Sequence, residues 1–248
     1  MNMIRYEVNQ NSFSIIPGSL FAYWASKAII GSFKNGIELG AMSKPRQGII
    51  PGNVDAFLRL WQEISVDKIG FNHAKYEDIN KYGKKWFIYN KGGAFRRWFG
   101  NLEYVINMEN NGYDIKYSGL NNNYRLREPE LYFKECISWS KISSGLLSMR
   151  YMPEGTLFDI AGCCIFGLED NGLCYILALT NSKVVMKMME FMGATLNYEV
   201  EQIKKLPLII SYEKLDDISA LVKDNIIVCK KDWDSFENSI DFKEHPLI

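Results

Sequence analysis

Between Leu20 and Phe33 the apolar residues Leu20, Phe21, Trp24, Ala25, Ala28, Ile29 and Phe33 recur at three- and four-residue steps. That spacing predicts a helix with one buried face. Ser19, just after the Pro17-Gly18 break, is the expected N-cap, and Asn35-Gly36 the stop. From Leu39 to Tyr151 the texture changes. Short apolar or aromatic runs (Trp86 to Tyr89, Tyr104 to Asn107, Cys136 to Trp139, Leu146 to Tyr151) alternate with polar stretches rich in Gly, Asn, Arg and Lys, the signature of a β-rich body with long loops. Loops of this length in a compact domain usually bind something.

Further along, Leu157 to Gly167 and Leu173 to Thr180 read as two buried strands joined by a hairpin turn at Glu169-Asp170-Asn171-Gly172. Asn181-Ser182 caps a helix over Lys183 to Met192, with Val184, Val185, Met188 and Phe191 on one face and Gly193 as its stop. A short helix is expected over Glu199 to Lys205, ending at Leu206-Pro207, and another over Glu213 to Cys229. The predicted class is α+β, a β-rich domain flanked by an N-terminal helix and C-terminal helices. Its parts are an extended segment and helix at 1–38, a body at 39–212 and the start of an acidic helical connector at 213–248.

Composition narrows the function. The chain has 248 residues, 47% hydrophobic and 23% charged, enough for a large core, which excludes disorder and coiled coil. It has neither a secretory leader pattern nor an apolar run of membrane-spanning length, so the expected location is cytoplasmic. The five cysteines include no C-x-x-C, and His73 and His245 lie far from them in sequence. Buried, reduced thiols are expected, with no metal site.

The familiar catalytic signatures are absent. There is no G-x-G-x-x-G or P-loop, no G-x-S-x-G elbow, no H-E-x-x-H and no EF-hand loop. Asp159, Glu169, Asp170 and Glu199 are the carboxylates available to a nuclease. None sits in an Asp…Glu-x-Lys pattern, and they read as turn and surface residues. No catalytic residue is assigned.

Lys plus Arg equals Asp plus Glu, 29 each, but the charges are segregated. From Lys81 to Glu103 there are six cations (Lys81, Lys84, Lys85, Lys91, Arg96, Arg97) against one acid, interleaved with Trp86, Phe87, Tyr89, Phe95, Trp98 and Phe99. From Glu213 onward there are five lysines against nine acids. Basic groups neutralise phosphates, and the Gly92-Gly93 step lets backbone amides approach an anionic strand. Arg46, Gln47, Asn53, Arg59, Arg125 and Arg127 add the residue types that read guanine and adenine edges. Lys141, Ser143 and Ser144 suit phosphate. Trp86, Trp98 and Trp139 read as core residues more than as base-stacking platforms, and lone arginines such as Arg59 and Arg150 could serve buried ion pairs.

These residues carry a resemblance. Ile16-Pro17-Gly18-Ser19 with Ala22-Tyr23-Trp24, then Arg46-Gln47-Gly48 with Asn53 and Phe57-Leu58-Arg59, resemble the region after the catalytic domain in adenine-specific DNA methyltransferases of BREX phage-defence systems, the PglX type. The most distinctive block is Lys85-Trp86-Phe87 through Tyr89-Asn90-Lys91-Gly92-Gly93, Phe95-Arg96 and Trp98-Phe99-Gly100-Asn101. Ile137-Ser138-Trp139-Ser140, Phe158-Asp159-Ile160-Ala161-Gly162, Thr195-Leu196-Asn197-Tyr198 and Asp232-Trp233-Asp234-Ser235-Phe236-Glu237 continue it in order.

The family's N-P-P-Y-type motif and its S-adenosylmethionine-binding glycine-rich strand do not occur in this sequence. The resemblance therefore implies a target-recognition region, similar to those of restriction-modification systems, whose methyltransferase domain would be supplied in cis or in trans. Double-stranded DNA is the implied partner, together with other defence-system proteins, and S-adenosylmethionine is the cofactor of the parent enzyme only. On this reading DNA phosphate and backbone contacts are expected from Lys91, Gly92, Gly93, Arg96, Arg97, Lys141, Ser143 and Ser144. Base readout falls to Arg46, Gln47, Asn53, Arg59, Asn90, Arg125 and Arg127. The rival readings are a protein-docking module of a defence complex and a metal-dependent nuclease.

Overall fold

The computed structural model describes residues 15–18, 23–71, 75–120, 123–143, 145–168, 170–192, 197–245 and 247–248. The first helix, α1 (Lys27–Asn35), is shorter than the apolar spacing predicts. Ser26 is its N-cap, its Oγ accepting from the Ile29 amide at 3.3 Å, and Tyr23 and Trp24 remain in a turn. The expected cap Ser19 lies outside the described residues. The predicted stop at Gly36 holds, and β1 (Ile37–Glu38), α2 (Leu39–Met42), β2 (Lys44–Arg46), α3 (Val54–Phe57), β3 (Leu58–Leu60) and β4 (Ile69–Gly70) follow as short pieces.

Three of the predicted apolar runs are strands: β5 (Trp86–Asn90), β6 (Tyr104–Asn107) and, after α4 (Glu109–Tyr117), β7 (Cys136–Ser140). The fourth run contributes β8 (Met149–Met152). Then come β9 (Leu157–Phe158) and β10 (Gly162–Phe166). The predicted second strand of a hairpin is instead a helix, α5 (Asp170–Thr180). Leu173, Cys174, Ile176, Leu177 and Thr180 are all buried, and a helix buried on most of its surface carries no alternation to separate it from a core strand. α6 (Lys183–Phe191) begins as expected at Ser182, whose Oγ accepts from the Val185 amide at 3.2 Å. α7 (Val200–Lys204), β11 (Pro207–Leu208) and the long α8 (Leu215–Trp233) complete the chain.

The result is an α+β fold with two main sheets. One is antiparallel, in the order β2-β10-β7-β8; the other runs β3-β6-β5-β4, with β9 pairing to β5 beyond the end of β4. The antiparallel sheet separates two cores, because successive side chains point to opposite faces. Cys163 and Ile165 of β10, with Ile137 and Trp139 of β7, face a helical core that contains Leu177, Met189 and Ile203. Cys164 and Phe166 face an aromatic core built on Trp86, Phe87, Phe99, Phe133 and Phe158. α8 joins both: Val222 belongs to the helical core and Trp233 to the aromatic one, where it is 2% exposed. None of the five cysteines is in a disulfide, and Cys136, Cys163, Cys164 and Cys174 are buried. Among the described residues no helix is long and apolar enough to cross a membrane.

Candidate nucleic-acid interface

The connection from β5 to β6, residues 91–103, carries the densest basic and aromatic sequence. A seam of buried polar side chains between the two sheets shapes it. Asn90, at the end of β5, is fully buried. Its Nδ2 donates to Ser138 Oγ at 2.6 Å and to the Gly162 carbonyl at 3.2 Å, while its Oδ1 accepts from the Gly92 amide at 3.1 Å. Ser140 Oγ donates to the Gly93 carbonyl at 2.8 Å, and Asn101 Nδ2 donates to the Ala94 carbonyl at 2.8 Å. The Trp98 amide donates to Met149, and the Tyr151 amide to Trp98, at 3.0 and 2.8 Å, so the far half of the loop is laid along β8. Gly92 and Gly93 have φ of 85° and 127°, a region open to glycine and strained for most residues. A side chain at Gly162 would place its Cβ 2.4 Å from the Asn90 carbonyl. Glycine there is a condition of the turn's close seating.

Below the turn, Tyr89 OH donates to Asp159 Oδ2 at 2.5 Å, and Asp159 Oδ1 accepts from the Ala161 amide at 2.7 Å. Burial raises the Asp159 carboxyl above the usual carboxylate range, against the opposing pull of the Tyr89 hydrogen bond, the Ala161 amide and Lys91. Burial raises the Tyr89 hydroxyl strongly as well.

The cations of this loop lie on aromatic rings. Lys91 Nζ is 4.7 Å from the Tyr104 ring centroid, Arg96 4.8 Å from that of Trp233, and Arg97 5.3 Å from that of Phe95, all within cation–π range. Arg96 also meets Asp232 at 3.4 Å. Lys91, Gly92, Gly93, Arg96, Tyr104 and Trp233 line a cleft of about 460 Å³ between the loop and the end of α8. The acidic tail is therefore packed against the basic loop, where Asn238 Nδ2 also donates to Glu103 Oε1 at 3.3 Å, and against the segment after β3, where Trp61 Nε1 donates to the Asn238 carbonyl and Gln62 Nε2 to that of Glu237, both at 2.8 Å. Elsewhere in the window, Lys85 pairs with Glu109 at 3.2 Å and Lys84 donates to the Asp67 carbonyl. The local excess of positive charge is partly neutralised within the fold.

Arg46, Gln47 and Arg127 come together in a second cleft, of about 410 Å³, with Glu128, Glu199, Glu201 and Lys204. Arg46 Nε is 2.7 Å from Glu128 Oε1, Arg127 Nη1 donates to Gln47 Oε1 at 3.2 Å, and Lys141 pairs with Glu199 at 3.2 Å. These basic groups are held by neighbouring acids and amides in defined directions.

Other sequence candidates have local duties. Asn90, expected to read bases, is spent on the interior network, and its role is to order the turn. Asn53 caps α3, accepting from the Ala56 amide at 3.0 Å. Arg59 donates to the Asp55 and Leu58 carbonyls at 2.6 and 2.5 Å. Arg125 exchanges backbone hydrogen bonds with Ile50, and its Nη1 donates to the Tyr124 carbonyl at 2.8 Å. Ser143 Oγ accepts from the Gly145 amide at 3.2 Å, and Ser144 lies outside the described residues. Sequence reasoning missed Ser140 and Asn101 as loop supports and noted Arg150 only as a lone arginine. The available signal was a charged residue inside the run Met149-Arg150-Tyr151-Met152. Among the described residues no group of three or more His, Cys, Asp or Glu side chains is placed to hold a metal ion.

No protein-family model matches the sequence. Two curated relatives do. The adenine-specific methyltransferase BrxX of Escherichia coli O9:H4 (strain HS) is 38% identical over 242 residues, which is 96% of this chain and 19% of that protein. The adenine-specific methyltransferase PglX of Lacticaseibacillus casei (strain Zhang) is 36% identical over 248 residues, 98% of this chain and 20% of that protein. Over nearly its whole length the chain is thus homologous to one segment of the adenine-specific methyltransferases BrxX and PglX, and it spans about a fifth of their length.

Proposed function

We propose that this chain is the DNA target-recognition region of an adenine N6-methyltransferase of a phage-defence system, with the catalytic residues and S-adenosylmethionine belonging to the remainder of the parent enzyme. The observation that carries the reading is the pinned Lys91-Gly92-Gly93 turn, within a segment homologous to adenine-specific methyltransferases. The exposed Gly93 amide, in a turn held at a fixed angle beside Lys91 and Arg96, suits a phosphodiester, and charged contacts of this kind fix a protein's position on a duplex. Arg46, Gln47 and Arg127, oriented by neighbouring polar groups, are the side chains best placed for base edges. In the parent enzyme the recognised adenine is flipped out of the helix for methylation. The partners are double-stranded DNA, the methyltransferase domain in cis or in trans, and other defence-system proteins.

Fluorescence anisotropy with duplex DNA across a salt series tests this reading. The wild-type chain binds with a clear salt slope. Lys91→Ala with Arg96→Ala lowers that slope by about one to two units. Absence of binding at low salt, an unchanged slope, or methyl transfer by this chain alone from labelled S-adenosylmethionine overturns it. A protein-docking role is favoured by one observation, the exposed Leu221, Ile227 and Val228 on α8. Apolar docking through that face predicts binding nearly independent of salt.

A further inference from the structure

Arg150, on β8, is fully buried. Its Nη2 donates to Ser140 Oγ at 3.1 Å, and Ser140 Oγ donates in turn to the Gly93 carbonyl. Two hydrogen bonds therefore connect the guanidinium to the glycine turn. Its Nε and Nη1 have no hydrogen-bond partner among the described residues, and no carboxylate among them forms an ion pair with it.

The surroundings do not neutralise it. Ser138 is opposite Arg150 in the β7–β8 register, and Cys164 is opposite Ser138 in the β10–β7 register. Burial pushes the nearby Cys136 thiol well above its ordinary value, which keeps it uncharged. Burial also lowers the Arg150 guanidinium, to about 10, which leaves it protonated at neutral pH. A buried charge without a counter-charge is costly in a folded protein. It is retained most readily where a ligand supplies the missing partner charge.

We propose that Arg150 is a positioning residue for phosphate at the Lys91-Gly92-Gly93 turn: through Ser140 it fixes the Gly93 carbonyl, and its uncompensated charge draws a DNA phosphodiester to the exposed Gly93 amide. The proposal rests on the DNA-binding reading and deepens it. Because the guanidinium is shielded from solvent, its field is weakly screened by water and salt. Its contribution is independent of base sequence.

The test uses the full chain, duplex DNA and two variants, Arg150→Met and Arg150→Gln. The expected result has two opposed parts. Thermal unfolding without DNA shows Arg150→Met as stable as the wild type or a few degrees more stable, since an unpaired buried charge has been replaced by an apolar side chain of similar length. Anisotropy titration shows both variants binding duplex DNA about tenfold more weakly, the scale of one unit charge acting through a partly low-dielectric medium. Loss of stability or failure to fold in Arg150→Met makes Arg150 a structural residue and overturns the proposal. So does wild-type affinity in both variants. If the wild type itself does not bind DNA, the functional reading fails. If the wild type binds and the variants match it, only the role of Arg150 fails.

Discussion

Asn90→Ala separates two opposed roles for one side chain. The Asn90 side chain makes four hydrogen bonds from a fully buried position: to Ser138 Oγ, to the Gly162 carbonyl, to Cys164 Sγ and from the Gly92 amide. Ser138 Oγ loses only an incoming donor, and its hydroxyl stays free to rotate. The Gly162 carbonyl keeps only the weak thiol donor of Cys164 at 3.6 Å, and the buried Gly92 amide loses its acceptor. Leaving a buried donor or acceptor unpaired costs about 1–3 kcal/mol each, so the substitution should cost about 3 kcal/mol. A chain of this size loses about 2–4 °C of melting temperature per kcal/mol, giving a drop of about 6–12 °C. Domains commonly have 5–15 kcal/mol of stability, so the variant still folds. Urea unfolding followed by tryptophan fluorescence measures the loss, with the slope against denaturant unchanged. A base-reading Asn90 would give the opposite pattern, full stability with weakened DNA binding. Stability within about 1 kcal/mol of the wild type would refute the account of how the turn is held.

Two further outcomes follow from the same geometry. Asp232→Asn removes the acid beside Arg96, an exposed pair of small energetic weight; melting temperature stays nearly constant while duplex affinity rises, and unchanged affinity would show that Arg96 takes no part in binding. Asp159 has a raised folded-state carboxyl, so its contribution to stability is fully present below the ordinary carboxylate range and is lost as pH rises through its folded value. Asp159→Asn therefore melts higher than the wild type at pH 7 to 8, with the gap closing as the pH falls toward about 4; a variant less stable across that range would refute the sign.

The sequence was most legible where local chemistry and tertiary packing agree. Ser182 followed by an amphipathic run announces α6, and the aromatic run Trp86 to Tyr89 announces β5. α5 was misread because its apolar content leaves almost no polar face to reveal a period. α4 was not anticipated: Asn110, Asn111 and Gly112 adopt left-handed backbone at its start, a conformation tolerated by these residue types but not signalled by hydrophobic spacing. The basic loop was visible as composition. Its support was not, because Asn90 is far along the chain from Ser140 and Arg150 and the three meet only through the arrangement of the strands. Polar residues destined for the interior look the same in sequence as polar residues destined for a ligand.

α8 limits how the proposed recognition module could be exchanged between enzymes. Its Trp233 fills the aromatic core, where truncating a buried tryptophan costs about 3–5 kcal/mol, and the same ring carries Arg96 of the candidate DNA loop. A chimera joined at residue 212 would transplant the loop and leave its socket behind. The transferable unit extends at least through the turns after α8 that hold Trp61 and Gln62. Recombination that creates new target specificities in such enzymes should find its viable crossover points beyond those turns, outside the acidic helix.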